Sequence, residues 1–112
     1  DYGAQVNISG GNYKCYGVNT NTPDGGECVY ANREGKVSIS GGTFGVREGD
    51  TVKDLLNVQN NQKVTDIQCT GGTFYGKNPA DGDDAIGGSF VAEGYEAKET
   101  STNVWTVSAK QN

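Results

Sequence analysis

The sequence contains no histidine and no methionine, and its 112 residues include only three cysteines and two prolines. The absence of histidine excludes nucleophilic sites that pair a serine or a cysteine with histidine, and it removes the usual zinc ligand. No Gly-x-x-x-x-Gly-Lys phosphate-binding loop is present either. The residue types that are missing therefore exclude several common classes of enzyme.

Basic residues are also scarce, because nine Lys and Arg stand against 14 Asp and Glu, giving a net charge of −5. A surface that follows a phosphate backbone needs clustered positive charge, and here the basic residues are scattered. No apolar run approaches the roughly 20 residues that a membrane-spanning helix requires. We therefore expect neither a nucleic-acid partner nor membrane insertion.

Hydrophobic residues make up only 33% of the chain, whereas glycine alone accounts for 18 residues. Apolar side chains recur at a spacing of two, as at Val6 and Ile8 or Val37 and Ile39, and no stretch sustains a helical period. Alternation of this kind, punctuated by many turn-forming residues, is typical of β-strands. The composition predicts a single all-β domain.

One short phrase occurs three times, at residues 6–13, 37–44 and 67–74, and each copy carries a Gly-Gly pair before an aromatic residue. The pair advances by 31 and then by 30 residues. A period in this range marks stacked repeats, in which each unit covers the apolar face of its neighbour. The repeat therefore predicts a parallel β-helix of about three coils; a β-sandwich would explain the alternation but not the repeat.

Equivalent residues of such coils stack along one axis, so the repeats predict which side chains share a column. Glycine suits the corner, because it accepts unusual backbone angles and allows close approach of the next coil. The aromatic column forms a ladder of rings. The three inward columns are Val6, Val37 and Ile67; Ile8, Ile39 and Cys69; and Tyr13, Phe44 and Phe74.

The pattern changes near Lys77, and we expect residues 1–78 to form the coils and residues 79–112 to cap them. A fourth Gly-Gly pair, at residues 87–88, predicts an early corner over residues 87–90, only 16 residues after the third. Residues 91–97 and 104–107 alternate as two antiparallel strands would. A cap protects the last coil from pairing with other chains. The beginning of the sequence has no comparable cap and no initiating methionine, so we expect it to be a segment of a longer protein.

The cysteines occupy positions at which other copies carry aliphatic residues. Cys69 aligns with Ile39, Cys15 with Val46, and Cys28 with Val58, which favours buried structural thiols. Because three is an odd number, at least one cysteine stays free or pairs outside the chain. A disulfide between Cys15 and Cys28 is left open by the sequence.

Three phrases carry a resemblance to a known group: Val-Ser-Ile-Ser-Gly-Gly-Thr-Phe at residues 37–44, Gly-Gly-Ser-Phe-Val-Ala-Glu-Gly-Tyr-Glu-Ala at residues 87–97, and Trp-Thr-Val at residues 105–107. The chain resembles the Gly-Gly-Thr-Phe-repeat, right-handed parallel β-helix segments of secreted or wall-attached proteins of gut Gram-positive bacteria. The resemblance implies a secreted or cell-surface location and a role as stalk, adhesive surface or glycan-contacting module.

Exposed aromatic rings on a flat sheet can stack on sugar faces, and the alternation directs Tyr16 and Tyr75 outward beside Cys15 and Phe74. Tyr16 and Tyr75 are therefore candidate glycan-binding residues, although single exposed aromatics are also ordinary on protein surfaces. Asp81, Asp83 and Asp84 are candidate Ca²⁺ ligands, with an ordinary acidic loop as the alternative. Their spacing does not fit an EF-hand.

The sequence predicts a non-catalytic module for adhesion or glycan contact. Two catalytic routes remain open: a carboxylate pair for glycoside hydrolysis, drawn from Glu48, Asp50 and Asp54, and lyase chemistry using Arg33 or Arg47 beside Ca²⁺. These residues lie in turn-like stretches, which favours a structural role. Two alternatives to the module are a structural stalk that stacks end to end and a fragment of a carbohydrate-active, polysaccharide lyase-like enzyme.

Overall fold

A computed structural model describes residues 3–20, 26–59, 61–82 and 87–110. Within these ranges the chain is mainly β, with no α-helix and two short 3-10 turns at Val64–Asp66 and Pro79–Asp81. The strands are β1 Gln5–Ile8, β2 Asn12–Cys15, β3 Val29–Ala31, β4 Lys36–Ile39, β5 Thr43–Val46, β6 Leu56–Val58, β7 Ile67–Cys69, β8 Thr73–Tyr75, β9 Tyr95–Ser101 and β10 Val104–Ala109.

Corresponding strands of successive repeats pair side by side. One sheet has the order β1-β4-β7 and a second has the order β3-β6, and both are parallel. A third, mixed sheet has the order β2-β5-β8-β10-β9, in which β2, β5 and β8 are parallel and β10 runs antiparallel to both of its neighbours, β8 and β9. Val37 lies opposite Val6 and Ile67, and Phe44 lies opposite Tyr13 and Phe74, as the repeats predict.

The Gly-Gly corners use their two glycines for different reasons. The second glycine of each pair has a positive φ, 102° at Gly11, 98° at Gly42 and 99° at Gly72, a conformation that side chains with a Cβ resist. The first glycine allows close approach, because a Cβ at Gly71 would collide with the carbonyl oxygen of Ser40 one repeat earlier. The second and third corners therefore turn the chain and also let it lie directly against the preceding repeat.

The core runs through the middle of the stacked strands and includes Val37, Ile39, Ile67 and Cys69. The predicted aromatic ladder is confirmed: the ring centroids of Tyr13 and Phe44 are 5.1 Å apart, and those of Phe44 and Phe74 are 5.0 Å apart, both stacked. The offset stacking adds to the burial of the rings.

The first repeat is less enclosed than the inward columns predict. Val6 is 49% exposed and Tyr13 is 39% exposed, whereas their counterparts Val37 and Phe44 are buried. The reason is that β1 and β2 are edge strands, each with one neighbour in the described part of the chain. The equivalent side chains of the second and third repeats are core residues because other segments pair with their strands on both sides.

The prediction of a fourth corner at residues 87–90 is wrong. Phe90 is buried, but the segment that contains it runs beside β7 rather than extending the aromatic column. Cys69 donates its N–H to the Phe90 carbonyl at 2.8 Å, and Val91 forms a parallel bridge with Cys69. The position beside β8 is instead taken by β10, whose Trp105 lies opposite Phe74.

The two C-terminal strands pair in antiparallel fashion, as predicted, but the first begins at Tyr95 and continues to Ser101. Residues 92–95 form a turn, in which Gly94 has a φ of 87° and the Tyr95 N–H bonds to the Ala92 carbonyl. The turn separates Val91, which belongs with β7, from the hairpin. The alternating sequence of residues 91–97 therefore spans two elements, the segment beside β7 and the first strand of the hairpin.

The predicted alignment of Cys28 with Val58 is also wrong. In the β3–β6 pair, Ala31 lies opposite Val58, and Cys28 instead donates its N–H to the Leu55 carbonyl at 2.9 Å. The offset between β3 and β6 is thus shorter than the offset between the Gly-Gly corners. The loops that join the sheets differ in length, so the period of one sheet does not transfer to the next.

Candidate functional site

The outer face of the mixed sheet carries a row of small polar side chains. Alternation turns every second residue of a strand outward, which brings Asn12, Thr43, Thr73 and Thr106 side by side across β2, β5, β8 and β10. Thr43 donates its hydroxyl to the Asn12 amide oxygen at 2.9 Å, and the hydroxyls of Thr73 and Thr106 lie 3.3 Å apart. This polar row offers donors and acceptors on a flat surface.

A second outward row contains a gap at its centre. Lys14 lies opposite Gly45 and Tyr75 opposite Val104, and Gly45 is directly beside Tyr75. A Cβ at Gly45 would meet the Tyr75 Cβ at 3.4 Å, so a larger side chain there would occupy the space between Lys14 and Tyr75. The missing side chain opens a groove across the strands.

The groove has a volume of about 640 Å³ and Gly45 on its floor. The turn of the β9–β10 hairpin forms one wall. Asn103, at the tip of this turn, accepts the Gly76 N–H at 2.7 Å and donates its own N–H to the Glu99 carboxylate at 2.9 Å. The groove is lined by Asn12, Lys14, Thr43, Phe44, Gly45, Val46, Val52, Tyr75, Gly76, Thr102, Asn103 and Val104.

The lining is electrostatically distinct from the chain as a whole. The chain has a net charge of −5, yet among the residues that the structure describes no aspartate or glutamate lines the groove, and Lys14 is the one charged side chain of the lining. Tyr75 adds an aromatic ring that is 48% exposed. A cation, a ring and several hydroxyl or amide groups on one concave surface suit a polar ligand with a flat apolar face.

Tyr16, the other predicted aromatic contact, lies outside the groove. It is 56% exposed, but the Arg47 guanidinium sits over its ring at 4.0 Å from the centroid. A cation–π contact of this kind covers one face of the ring. The structure therefore does not bring Tyr16 and Tyr75 into one cavity.

Arg47 is itself held by Asp50, whose Oδ2 lies 3.5 Å from Nε of Arg47 and accepts the Gly17 N–H at 3.0 Å. Burial alone would raise the pKa of Asp50. The hydrogen bonds from Gly17, Asn19 and Arg47 outweigh burial and lower this pKa below its ordinary value. Asp50 is therefore an ionised structural anchor for the loop that follows β5.

The other candidate catalytic carboxylates, Asp54 and Glu48, also lie outside the groove. Asp54 is buried beside Lys77, with Nζ of Lys77 3.7 Å from its Oδ1, and Glu48 is exposed. Neither they nor Asp50 line the groove.

The predicted calcium loop is described only in part. Asp81 is exposed at the end of the 3-10 turn Pro79–Asp81, whereas Asp83 and Asp84 lie outside the described residues. Among the residues that the structure describes, no three His, Cys, Asp or Glu side chains gather as metal ligands would. Calcium binding by this loop stays a prediction.

Sequence reasoning names Tyr75 but misses Lys14 and Gly45, although the signal for both is present. The offsets of 31 and 30 residues align Tyr13, Phe44 and Phe74. They also align the residue that follows each of these, namely Lys14, Gly45 and Tyr75. The hairpin wall has no such signal, because Asn103 and Val104 lie outside the repeats.

No protein-family model, no curated protein and no solved structure matches this chain. In the described part of the chain, no helix has the length and apolar character needed to cross a membrane.

Proposed function

We propose that this chain is a non-catalytic glycan-contacting module of a secreted or cell-surface bacterial protein, built as a right-handed parallel β-helix of about three coils. The in-register parallel pairing of successive repeats supports this architecture, because each repeat adds one strand to each of two sheets. Residues 79–112 then act as a cap, with β10 closing the edge of β8.

The groove is the observation that carries the proposal. Glycine inside a strand is unfavourable and often marks a site where a ligand or another backbone approaches closely. Gly45 has no side chain and so leaves space beside the exposed Tyr75. A pyranose ring presents an apolar C–H face that stacks on Tyr75 and hydroxyls that bond to the polar row. Both features lie on one rigid sheet, so little ordering is needed on binding.

The charge of the groove favours acidic sugars over neutral ones. Among the described residues that line the groove, Lys14 carries the one charge, so a uronic, sialic or sulfated sugar would find a cation there and no carboxylate in this lining. The acidic remainder of the protein repels such a ligand elsewhere, which restricts it to this face.

The test is an array of plant, mucin and bacterial-wall glycans, followed by titration calorimetry with one acidic and one neutral ligand from the array. Tyr75→Ala should weaken binding of both by about two- to tenfold, because an aromatic contact contributes roughly 0.5–1.5 kcal/mol. Lys14→Ala should weaken only the acidic ligand, by up to about fivefold.

Tyr30 provides a matched control, since it is 49% exposed on β3, in another sheet. Tyr30→Ala and Tyr16→Ala should both bind as the parent chain does. If no glycan of the array binds, or if Tyr75→Ala leaves binding unchanged, the groove is excluded as a glycan site.

A second candidate function is a structural stalk that stacks end to end through its first repeat. The exposed Val6 and Tyr13 on edge strands β1 and β2 favour it, because an unpaired strand edge can pair with another chain. Sedimentation velocity over a wide concentration range tests this function. Association that Val6→Lys abolishes would support it, and a monomer at every concentration would exclude it.

A further inference from the structure

Two cysteine side chains meet beneath the groove. The Sγ atoms of Cys15, at the end of β2, and Cys28, just before β3, are 2.7 Å apart, and both cysteines are free thiols. Both Sγ atoms also lie 3.3 Å from the carbonyl oxygen of Gly45, within hydrogen-bonding distance. Both side chains are half-buried, so small reagents can reach them.

Separate backbone contacts hold the two cysteines in place. The Cys15 carbonyl accepts the Arg47 N–H at 3.0 Å, and the Cys28 N–H bonds to the Leu55 carbonyl at 2.9 Å. The contact between the sulfurs is therefore built from two independently fixed backbone positions, not from one flexible loop.

We propose that Cys15 and Cys28 form an intramolecular disulfide when the chain meets a low-molecular-weight disulfide, and that Cys69 remains a thiol. A disulfide bond is about 2.05 Å long, so the two sulfurs need to approach by well under 1 Å. Cys69 is fully buried in the column of Ile39, which keeps oxidants away from it.

The reaction proceeds by thiol–disulfide exchange. The Cys15 thiolate attacks one sulfur of the small disulfide, forming a mixed disulfide and releasing one small thiolate. Cys28 then loses its proton to water and attacks Sγ of Cys15, which expels the second small thiolate. Two protein S–H bonds are lost, one protein S–S bond forms, and the small disulfide is reduced to two thiols.

The order of the steps follows from the surroundings of Cys28. Burial, and then the hydrogen bond with Cys15, raise the pKa of the Cys28 thiol above its ordinary value. Cys28 therefore stays protonated at neutral pH and acts second. We expect closure of the disulfide to become faster as the pH rises.

The test uses the Cys69→Val variant, whose only cysteines are the proposed pair. Valine fits the position, because the same column holds Ile39 in the preceding repeat. Incubation with glutathione disulfide should lower its mass by about 2 Da, remove both alkylatable thiols and leave it monomeric. Cys28→Ser in the same background is the control and should retain one glutathione adduct on Cys15.

The oxidised variant should also melt about 10 °C higher than its reduced form, because the crosslink restricts the unfolded chain between residues 15 and 28. A stable glutathione adduct on the Cys69→Val chain or disulfide-linked dimers would overturn the proposal. Peptide mapping of the oxidised parent chain serves as a second measurement. It should join Cys15 to Cys28 and leave Cys69 alkylatable after unfolding; a disulfide that includes Cys69 would overturn the proposal.

Discussion

At the scale of single residues, two glycines of this chain differ in whether they tolerate an added side chain. Gly45 faces outward on β5, where an added Cβ would make an ordinary contact of 3.4 Å with Tyr75. Gly71 faces the preceding repeat, where a Cβ would collide with the backbone of Ser40. The first glycine therefore shapes a surface, whereas the second permits the stacking itself.

Gly71→Ala should lower the free energy of unfolding by about 1–3 kcal/mol, the usual range for forcing extra volume into a packed site. Gly45→Ala should leave the stability within about 0.5 kcal/mol of the parent. Urea denaturation of the two variants compares them directly. Equal destabilisation by both would mean that the groove floor is as tightly packed as the corner.

The aromatic ladder makes Phe44 the side chain whose truncation matters most in the middle repeat. It is 1% exposed and stacks between Tyr13 and Phe74, so Phe44→Ala removes ring contacts on both sides. We expect a loss of about 3–5 kcal/mol. Tyr75→Ala is the matched control, since its half-exposed ring lies outside the core. If Phe44→Ala melts at the same temperature as the parent, the stacked rings do not stabilise the fold.

At the scale of elements, contacts between successive repeats hold the turn that precedes β4. Arg33 and Glu34 both have positive φ, 50° and 63°, which is unfavourable for residues with a Cβ. Their N–H groups donate to the side-chain oxygens of Gln59 and Gln62 at 3.2 and 2.9 Å. Side chains from the next repeat thus stabilise a turn that local preference alone disfavours.

Asp66 makes a similar contact between repeats. Its Oδ1 lies 2.8 Å from Nζ of Lys36, and its Oδ2 accepts the amide of Gln62 at 3.0 Å. Burial alone would raise the pKa of Asp66. The hydrogen bonds from Lys36 and Gln62, the charge of Lys36 and the Lys63 N–H outweigh burial and lower this pKa below its ordinary value.

A carboxylate whose pKa is lower in the folded chain than in the unfolded chain stabilises the fold above the unfolded value, near pH 4. That stabilisation is lost as the pH falls through the folded pKa. Between about pH 4 and pH 2, the unfolding free energy of the parent should therefore fall more steeply than that of Asp66→Asn. Asp81→Asn, at an exposed position, is the control; parallel curves for the parent and Asp66→Asn would contradict the prediction.

At the scale of the whole molecule, the C-terminal segment belongs to the same core as the repeats. Phe90 and Val107 are buried together with Phe44, Ile39 and Phe74 in one hydrophobic cluster. The hairpin also forms a wall of the groove through Asn103. Repeats and hairpin should therefore unfold as one unit.

The single tryptophan, Trp105, reports on the hairpin, whereas far-ultraviolet circular dichroism reports on all strands. Urea unfolding followed by the two signals should give coincident transitions, as expected for a cooperative domain. Val107→Ala should shift both midpoints equally. A fluorescence transition that precedes the loss of circular dichroism would show that the hairpin unfolds independently.

Inside the repeats, prediction from sequence works position by position. The constant period of the repeats predicts the corners and the outward position of Tyr75. It also predicts the columns that contain Val37, Phe44 and Cys69. The register of Cys28 and the path of Phe90 do not, because they depend on loop lengths and on which sheet edge is still unpaired. The groove is predictable in part, because Lys14, Gly45 and Tyr75 belong to the repeats whereas Asn103 does not.

The sequence by itself determined the β character, the stacking of the repeats and the residues that share a column, because alternation and a constant period are local properties of the chain. Only the tertiary structure decided that Val6 and Tyr13 are left exposed, that β10 covers β8, and that two cysteines 13 positions apart meet at Gly45. These outcomes depend on contacts between segments of unlike sequence. Such contacts are selected by the space and the unpaired backbone groups that the folded repeats leave available.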